Sequence, residues 1–346
     1  MIKSLKLKNF RNFKNNTFIF ENEKFFIIWK NWKWKTNILE ALSILNNNSI
    51  IWLSFDNLVK KNENNFFIEQ EDDKWNTFGI SYDKALNKKK YFINKKVTSK
   101  KNYNNNTNLS VIFSPIIMNI MYLSPGLRRN FLDQILINSY SNYDKLLRTY
   151  KKILTNRNKV LKNIRENKSQ KSEIIFWNQE FIKISISIYK IRFELNNFFE
   201  KHIKKSSEYF FWKIKNIDFV YLTKINKNNI ENDILNYLNK NLDRDIILWK
   251  TNIWPHIDDF EIIIDNNKLI DYASRWETKS IIIWLKLLET AFIENKTNKK
   301  PVLFIDDLLS ELDEMHKNLL LDKIKYYQTF ITSINKINNT NYFLEL

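Results

Sequence analysis

The sequence predicts an α/β fold in which a strand-rich portion is split by a long helical insertion. Three observations carry that expectation. Residues 2 to 28 alternate apolar and polar side chains, the period of strands with one buried face. From about 127 to 240 the apolar residues recur at helical spacing among many charges, as in Leu146, Leu147, Tyr150, Ile153 and Leu154. Strand-like runs then return at 260–264, 302–306 and 329–334, with a helix expected at 278–294.

Taken in order, Leu5, Leu7 and Phe10, then Phe18 and Phe20, then Phe25 to Ile28 mark the opening strands. Residues 35–45 read as a helix, with Ile38, Leu39, Leu42 and Leu45 on one face. Residues 60–110 are rich in Lys and Asn and hold short alternating runs such as Thr77-Phe78-Gly79-Ile80-Ser81-Tyr82, the pattern of a β-rich excursion with solvated loops. The expected domains are a discontinuous head, 1–125 with 245–346, and a helical lobe, 126–244. A chain of 346 residues buries a core large enough to need no disulfide or metal staple.

Composition excludes several chemistries. Without cysteine there is no thiol catalysis, disulfide or Cys-based zinc site, and three histidines argue against a His-rich metal site. No segment shows the long uncharged apolar run of a membrane span, and Met1 to Lys6 does not read as a signal peptide. The expectation is a cytoplasmic protein without a membrane partner. A formal net charge of +18 favours a polyanionic partner. An AT-rich genome, whose codons favour Lys, Asn and Ile, gives the same excess.

Three segments carry candidate chemistry. Trp29-Lys30-Asn31-Trp32-Lys33-Trp34-Lys35-Thr36 follows an apolar strand and opens a helix, the context of a phosphate-binding loop. With glycine at 29 and 34 it would be such a loop, Lys35 reaching the β- and γ-phosphates and Thr36 ligating Mg²⁺. As written, tryptophan disfavours positive φ and crowds the phosphates, so a basic, aromatic surface loop is the other reading. Val302-Leu303-Phe304-Ile305-Asp306-Asp307 is an apolar strand ending in two acids. Asp306 would hold the Mg²⁺ shell and Asp307 the attacking water. A buried strand with a polar end looks the same. Ser274, ahead of a helix and three residues before Glu277, suits either a phosphate contact or a capping box.

The ordered set resembles the RecF family of bacterial DNA repair over nearly the whole chain. Leu5 to Phe13 resembles its opening strand and Phe-Arg motif, and Asn31 to Leu42 its phosphate-binding loop and helix. Phe113-Ser114-Pro115, Ser124-Pro125 and Arg128 to Asp133 resemble its middle motif. Tyr150 to Leu161, with Arg157-Asn158, and Trp177 resemble its helical region. Thr251 and Trp254-Pro255-His256-Ile257-Asp258-Asp259 resemble its Gly-Pro-His-x-Asp-Asp stretch. The segments around Ser274 and Asp306, and Ser310-Glu311-Leu312-Asp313, follow in the family's order.

The resemblance implies an ABC-type P-loop ATPase head with a helical arm insertion, using ATP and Mg²⁺. It implies a DNA-stimulated ATPase in which residues 29–36 with Ser274 and Trp276 bind the nucleotide, Thr36 and Asp306 hold the metal, and Lys35 and Asp307 act in catalysis. Ser274 would act in trans, within an ATP-dependent homodimer that clamps single- or double-stranded DNA at gaps or junctions. RecR- and RecO-like partners and help in loading recombinase follow from the same resemblance. Arg128, Arg129, Arg148 and Arg157 are the candidate DNA contacts, with a solvated helix face as the alternative for each. An SMC-like structural head, or a non-catalytic DNA-binding relative, are the competing readings.

The departures from the family pattern are selective. Trp29, Trp32, Trp34, Trp254 and Trp276 stand where the pattern has glycine, and Trp249 and Trp284 fit the same substitution. The chain has 2 glycines and 11 tryptophans, whereas average usage predicts roughly 24 glycines. UGA codons read as glycine by the cell but translated here as tryptophan would give this pattern. A real polypeptide with a destroyed ATP site is the rival. Ser114-Pro115 also lacks the acid expected next, and Asn335 stands near another expected acid.

Overall fold

The computed structural model describes residues 1–21, 23–28, 32–46, 54–205, 216–252, 255–333 and 343–345. It divides into two compact units, 1–118 with 293–346, and 119–292. The second unit thus includes residues 245–292, which the sequence reading assigned to the head. The link is strand pairing, since residues 259–264 join a sheet with 217–222.

In the first unit, β1 (Ile2–Phe10), β2 (Phe13–Ile19), β4 (Asn65–Asp72), β5 (Thr77–Asp83), β6 (Lys88–Ile93) and β7 (Lys96–Thr98) form an antiparallel sheet in the order β2-β1-β4-β5-β6-β7. Alternation sets its faces: Leu5, Leu7, Phe66, Ile68, Phe78 and Ile80 turn inward and are buried, while Lys6 and Lys8 turn outward. A short helix α2 (Lys100–Asn106), which the sequence reading did not anticipate, follows. The second sheet is parallel throughout, in the order β14 (Phe343–Glu345), β3 (Lys24–Ile28), β13 (Thr329–Ser333), β12 (Val302–Ile305), β8 (Ser110–Phe113). Every residue of β12 and β13 is buried, as in strands covered on both faces. Helix α1 (Trp32–Leu45) follows β3 and buries Ile38, Leu39, Ala41, Leu42 and Leu45. Edge-to-face and stacked rings of Phe20, Phe25, Phe304 and Phe330 fill the core.

The second unit holds α3 (Pro125–Ser139), α4 (Tyr143–Arg165), α5 (Ile174–Ile203), α6 (Ile230–Lys240), α7 (Leu242–Leu248), α8 (Leu269–Tyr272) and most of α9 (Arg275–Thr297). The stretch expected to be helical is interrupted by a strand, β9 (Ile217–Leu222), which pairs antiparallel with β10 (Asp259–Ile264), itself paired with β11 (Asn267–Lys268). Ile217 and Phe219 are buried and Val220 is exposed, so β9 has strand periodicity within a charge-rich context. The α/β class read from the sequence is the fold observed, with a helical insertion between the strands of the head.

Candidate functional site

In a parallel sheet, ligands bind beyond the carboxyl ends of the strands. Here β3, β13 and β12 are neighbours, with Ser333 in register with Ile28 and Ile331 with Ile305. The segment opening α1, the acids after β12 and the end of β13 therefore meet at one edge. Lys35 is buried and its Nζ donates to the Ser333 carbonyl at 2.9 Å. Thr36 Oγ1 donates to Asp306 Oδ1 at 3.3 Å, and Thr332 Oγ1 donates to the same oxygen at 2.8 Å.

Asp307 adopts φ 49°, a left-handed conformation that aspartate tolerates better than most residues. Its N–H donates to Thr332 Oγ1 at 2.9 Å, and Ser310 Oγ donates to its carbonyl at 2.8 Å. The turn gives the two adjacent acids different surroundings, as distinct roles require. Burial raises the pKa of Asp306, against the hydrogen bonds from Thr332 and Thr36, and Asp307 adds to the rise. Burial also raises Asp307, with Lys35 opposing. Burial lowers the Lys35 pKa, against the pull of Asp307 and Asp306. Two desolvated carboxyls beside one buried ammonium and one threonine hydroxyl form a set that a hard cation would stabilise. That donor set fits Mg²⁺ with a phosphorylated ligand.

Arg11 and Glu40 extend this edge, and the residue pattern alone gave no role to either. Arg11 Nε and Nη2 grip Glu40 at 2.8 and 3.0 Å, and Nη1 donates to the Asn57 carbonyl at 2.9 Å. The forked geometry holds α1 against the turn after β1. Burial raises the Glu40 pKa, with Arg11 opposing and Asp306 adding to the rise.

The remaining site expectations are distributed as follows. Trp29, Lys30 and Asn31 lie outside the described residues, as do the side chains of Trp32 and Lys33. Trp254 and Asn335 lie outside them too. Trp34 is half-buried and meets Phe13 edge-on, ring centres 5.0 Å apart. Ser274 and Trp276 belong to the second unit, at the start of α9. There Ser274 and Glu277 form a reciprocal cap: Ser274 N and Oγ donate to Glu277 Oε2 at 2.8 and 2.7 Å, and Glu277 N donates to Ser274 Oγ at 3.2 Å.

The four candidate DNA arginines differ. Arg148 is exposed and pairs with Asp144 one turn away, at 2.9 Å. Arg128 grips Asp259 through Nε and Nη2 and donates to the Leu123 carbonyl. Arg129 donates to the Asp258 carbonyl at 3.2 Å. Arg157 is a correction. It is fully buried, with Nε on Asn178 at 2.8 Å and Nη1 on Asp245 and Thr251, so it is not exposed to phosphates.

These contacts belong to a buried polar network within the second unit. Asn158 Oδ1 accepts from Thr251 N and Oγ1 at 3.0 and 2.7 Å. Arg192 donates to Asp133 at 2.7 Å and to the Pro255 carbonyl. The Tyr221 hydroxyl donates to Asp258 at 2.8 Å, and the Tyr150 hydroxyl lies 2.6 Å from His256 Nδ1. Segments distant in sequence, 128–133, 157–158, 251–252 and 255–259, thus form one constellation. It clamps the chain leading into β10. Burial, with Arg129 and Lys250 nearby, pushes the His256 pKa down to about 4.

No protein-family model matches the chain. Individual proteins do. The chain is 32% identical over 348 residues to the DNA replication and repair protein RecF of Ruminiclostridium cellulolyticum, covering 97% of this chain and 93% of that protein. It is 32% identical over 353 residues to the RecF of Clostridium botulinum, covering 96% and 92%. Among solved structures, the recombination mediator protein RecF-ATP in the RecFOR pathway superposes with a TM-score of 0.88 at 27% identity, covering 98% of this chain and 93% of that one. The RecF-ATPrS structure gives 0.84 at 27% identity, covering 97% and 93%.

Proposed function

The chain belongs to the RecF family of DNA replication and repair proteins, and from that premise we propose that it is an ATP-dependent DNA-binding recombination mediator. The observation that carries the reading is the meeting of Lys35, Thr36, Asp306 and Asp307 at one sheet edge. In this reading Thr36 and Asp306 hold Mg²⁺, Lys35 neutralises the terminal phosphates, and Asp307 positions water. Bound nucleotide supplies the phosphates that link two subunits, and Ser274 faces the nucleotide of the other subunit. Closure of the dimer clamps gapped or junction DNA, and RecR- and RecO-like proteins then assist recombinase loading. Gel filtration with and without ATP, beside an ATPase assay with and without DNA, tests it. Dimerisation with ATP and DNA-stimulated hydrolysis are expected; a monomer at saturating ATP would sink the clamp.

The reading needs glycine at 29, 32 and 34, and the backbone elsewhere supports it. Two tryptophans outside the nucleotide site adopt left-handed backbone, Trp75 with φ 63° and Trp249 with φ 48°. A residue with a bulky side chain there costs about 1–2 kcal/mol, and glycine avoids that cost. Trp249 occupies the C-cap of α7, the place where glycine most often ends a helix. Trp75 lies in the turn between β4 and β5 and is 83% exposed, so packing does not explain its identity. The recoded positions therefore include 75 and 249 in this reading. Peptide mass spectrometry of the native protein decides it, using 24–40, 75–84 and 245–250. Glycine at these positions supports a working phosphate loop; tryptophan reduces the chain to a basic DNA-binding relative.

A further inference from the structure

We propose that the β6–β7 hairpin and the start of α2 form a docking surface for the phosphate backbone of duplex DNA. The proposal rests on the DNA-binding reading above and adds a surface to it. Between 84 and 101 the chain has eight lysines and no Asp, Glu or Arg: Lys84, Lys88, Lys89, Lys90, Lys95, Lys96, Lys100 and Lys101. Codon bias enriches lysine along the whole chain, which has 56 basic and 38 acidic residues. It does not remove acids from one stretch.

The fold concentrates these charges. All eight residues are exposed, and none is ion-paired to a described residue. Lys88 and Lys90 share the outer face of β6 with Phe92, while Lys89 turns the other way, its ammonium 3.3 Å from the centre of the Phe55 ring. Burial lowers the Lys89 pKa, and Lys100 lowers it further, while on the outer face Asp83 stands in register across from Lys88 without an ion pair to it. Lys95 and Lys96 form the tip of the hairpin. Lys100 and Lys101 occupy the first turn of α2, the end of a helix where cations are disfavoured. At the first turn of α2 the two lysines oppose the helix dipole, and a polyanion relieves that opposition.

The residue types point to backbone contact rather than base reading. Lysine is a point charge without the flat fork that arginine uses on guanine. Two aromatics on the same outer face argue for duplex over single strand. Phe67 and Phe92 meet edge-on, ring centres 5.7 Å apart, and Phe67 lies against Gly79 so closely that an added Cβ would meet the ring at 3.1 Å. Rings engaged in this way do not offer the open faces on which unpaired bases stack.

The test uses the full chain with Lys88, Lys90, Lys95 and Lys96 all changed to Gln. A charge-matched control changes Lys201, Lys205, Lys227 and Lys240, exposed on the second unit, to Gln. Binding to a duplex and to a single strand of equal length is measured across a salt series, with ATP binding and circular dichroism measured in parallel. The hairpin variant is expected to lose about tenfold or more in duplex affinity, and its log–log salt slope to shrink by roughly 3 to 4, near 0.9 per lost contact. The control, ATP binding and helicity stay at parent values. Duplex binding with unchanged affinity and slope overturns the proposal, as does an equal loss in the control. Loss of single-strand binding alone overturns it too. A parent that binds ATP but no DNA removes the DNA reading itself.

Discussion

His256→Gln tests the buried network of the second unit through proton linkage. Burial, with Arg129 and Lys250 nearby, pushes the His256 pKa from 6.5 down to about 4. The unfolded chain therefore binds a proton between those values while the folded chain does not. Stability contributed by the neutral ring is complete above pH 6.5, is lost as pH falls through the window, and levels off below 4. A shift of this size corresponds to about 3 kcal/mol across the window. Glutamine keeps a polar atom for the Tyr150 hydroxyl but does not titrate. Urea unfolding of parent and variant at several values between pH 7.5 and 4 gives the difference directly, with other titrating groups cancelling. The parent should lose about 3 kcal/mol more than the variant over that range. A difference that is flat with pH would show that the ring is solvated and that the segment 255–259 is not clamped as described.

Two further perturbations follow from the same contacts. Arg157→Met leaves Asp245 buried without its partner, which costs about 3–5 kcal/mol, while Arg157→Met with Asp245→Leu should recover most of it; thermal melts of the two variants that coincide would refute the pairing. Asp306→Asn removes a carboxyl whose pKa is raised in the fold, so its ionisation opposes folding as pH rises through that pKa. The variant should melt higher than the parent at neutral pH without ligand, yet lose Mg²⁺-dependent nucleotide binding measured by calorimetry; unchanged nucleotide affinity would remove Asp306 from the metal's shell.

Much of the nucleotide edge was legible because its signals are local. An apolar strand followed by Lys35-Thr36 and a helix, and a second one ending in Asp306-Asp307, are each visible within ten residues. Arg11 and Glu40 were not legible as a pair, since 29 residues separate them and only the packing of the turn after β1 beside α1 joins them. Arg157 shows the limit most clearly. Its helix is rich in charge, and the pattern could not separate the one guanidinium turned inward to Asp245 from exposed neighbours such as Arg148. The β9 strand was missed for a related reason: its alternation is short, and its partner β10 lies forty residues later.

The sequence by itself determined the α/β class, the order of the motifs and the family, because periodicity and short spacings survive in one dimension. It also exposed the tryptophan-for-glycine pattern, which is compositional. Only the tertiary structure decided which charges are buried and which are free, that 128–133, 157–158, 251–252 and 255–259 form one network, and that the lysines of 84–101 are exposed on neighbouring elements without an ion pair. Burial and partner choice are long-range quantities. They depend on which strands pair and which helix faces meet, and no local pattern of residues encodes the dielectric that a side chain will experience.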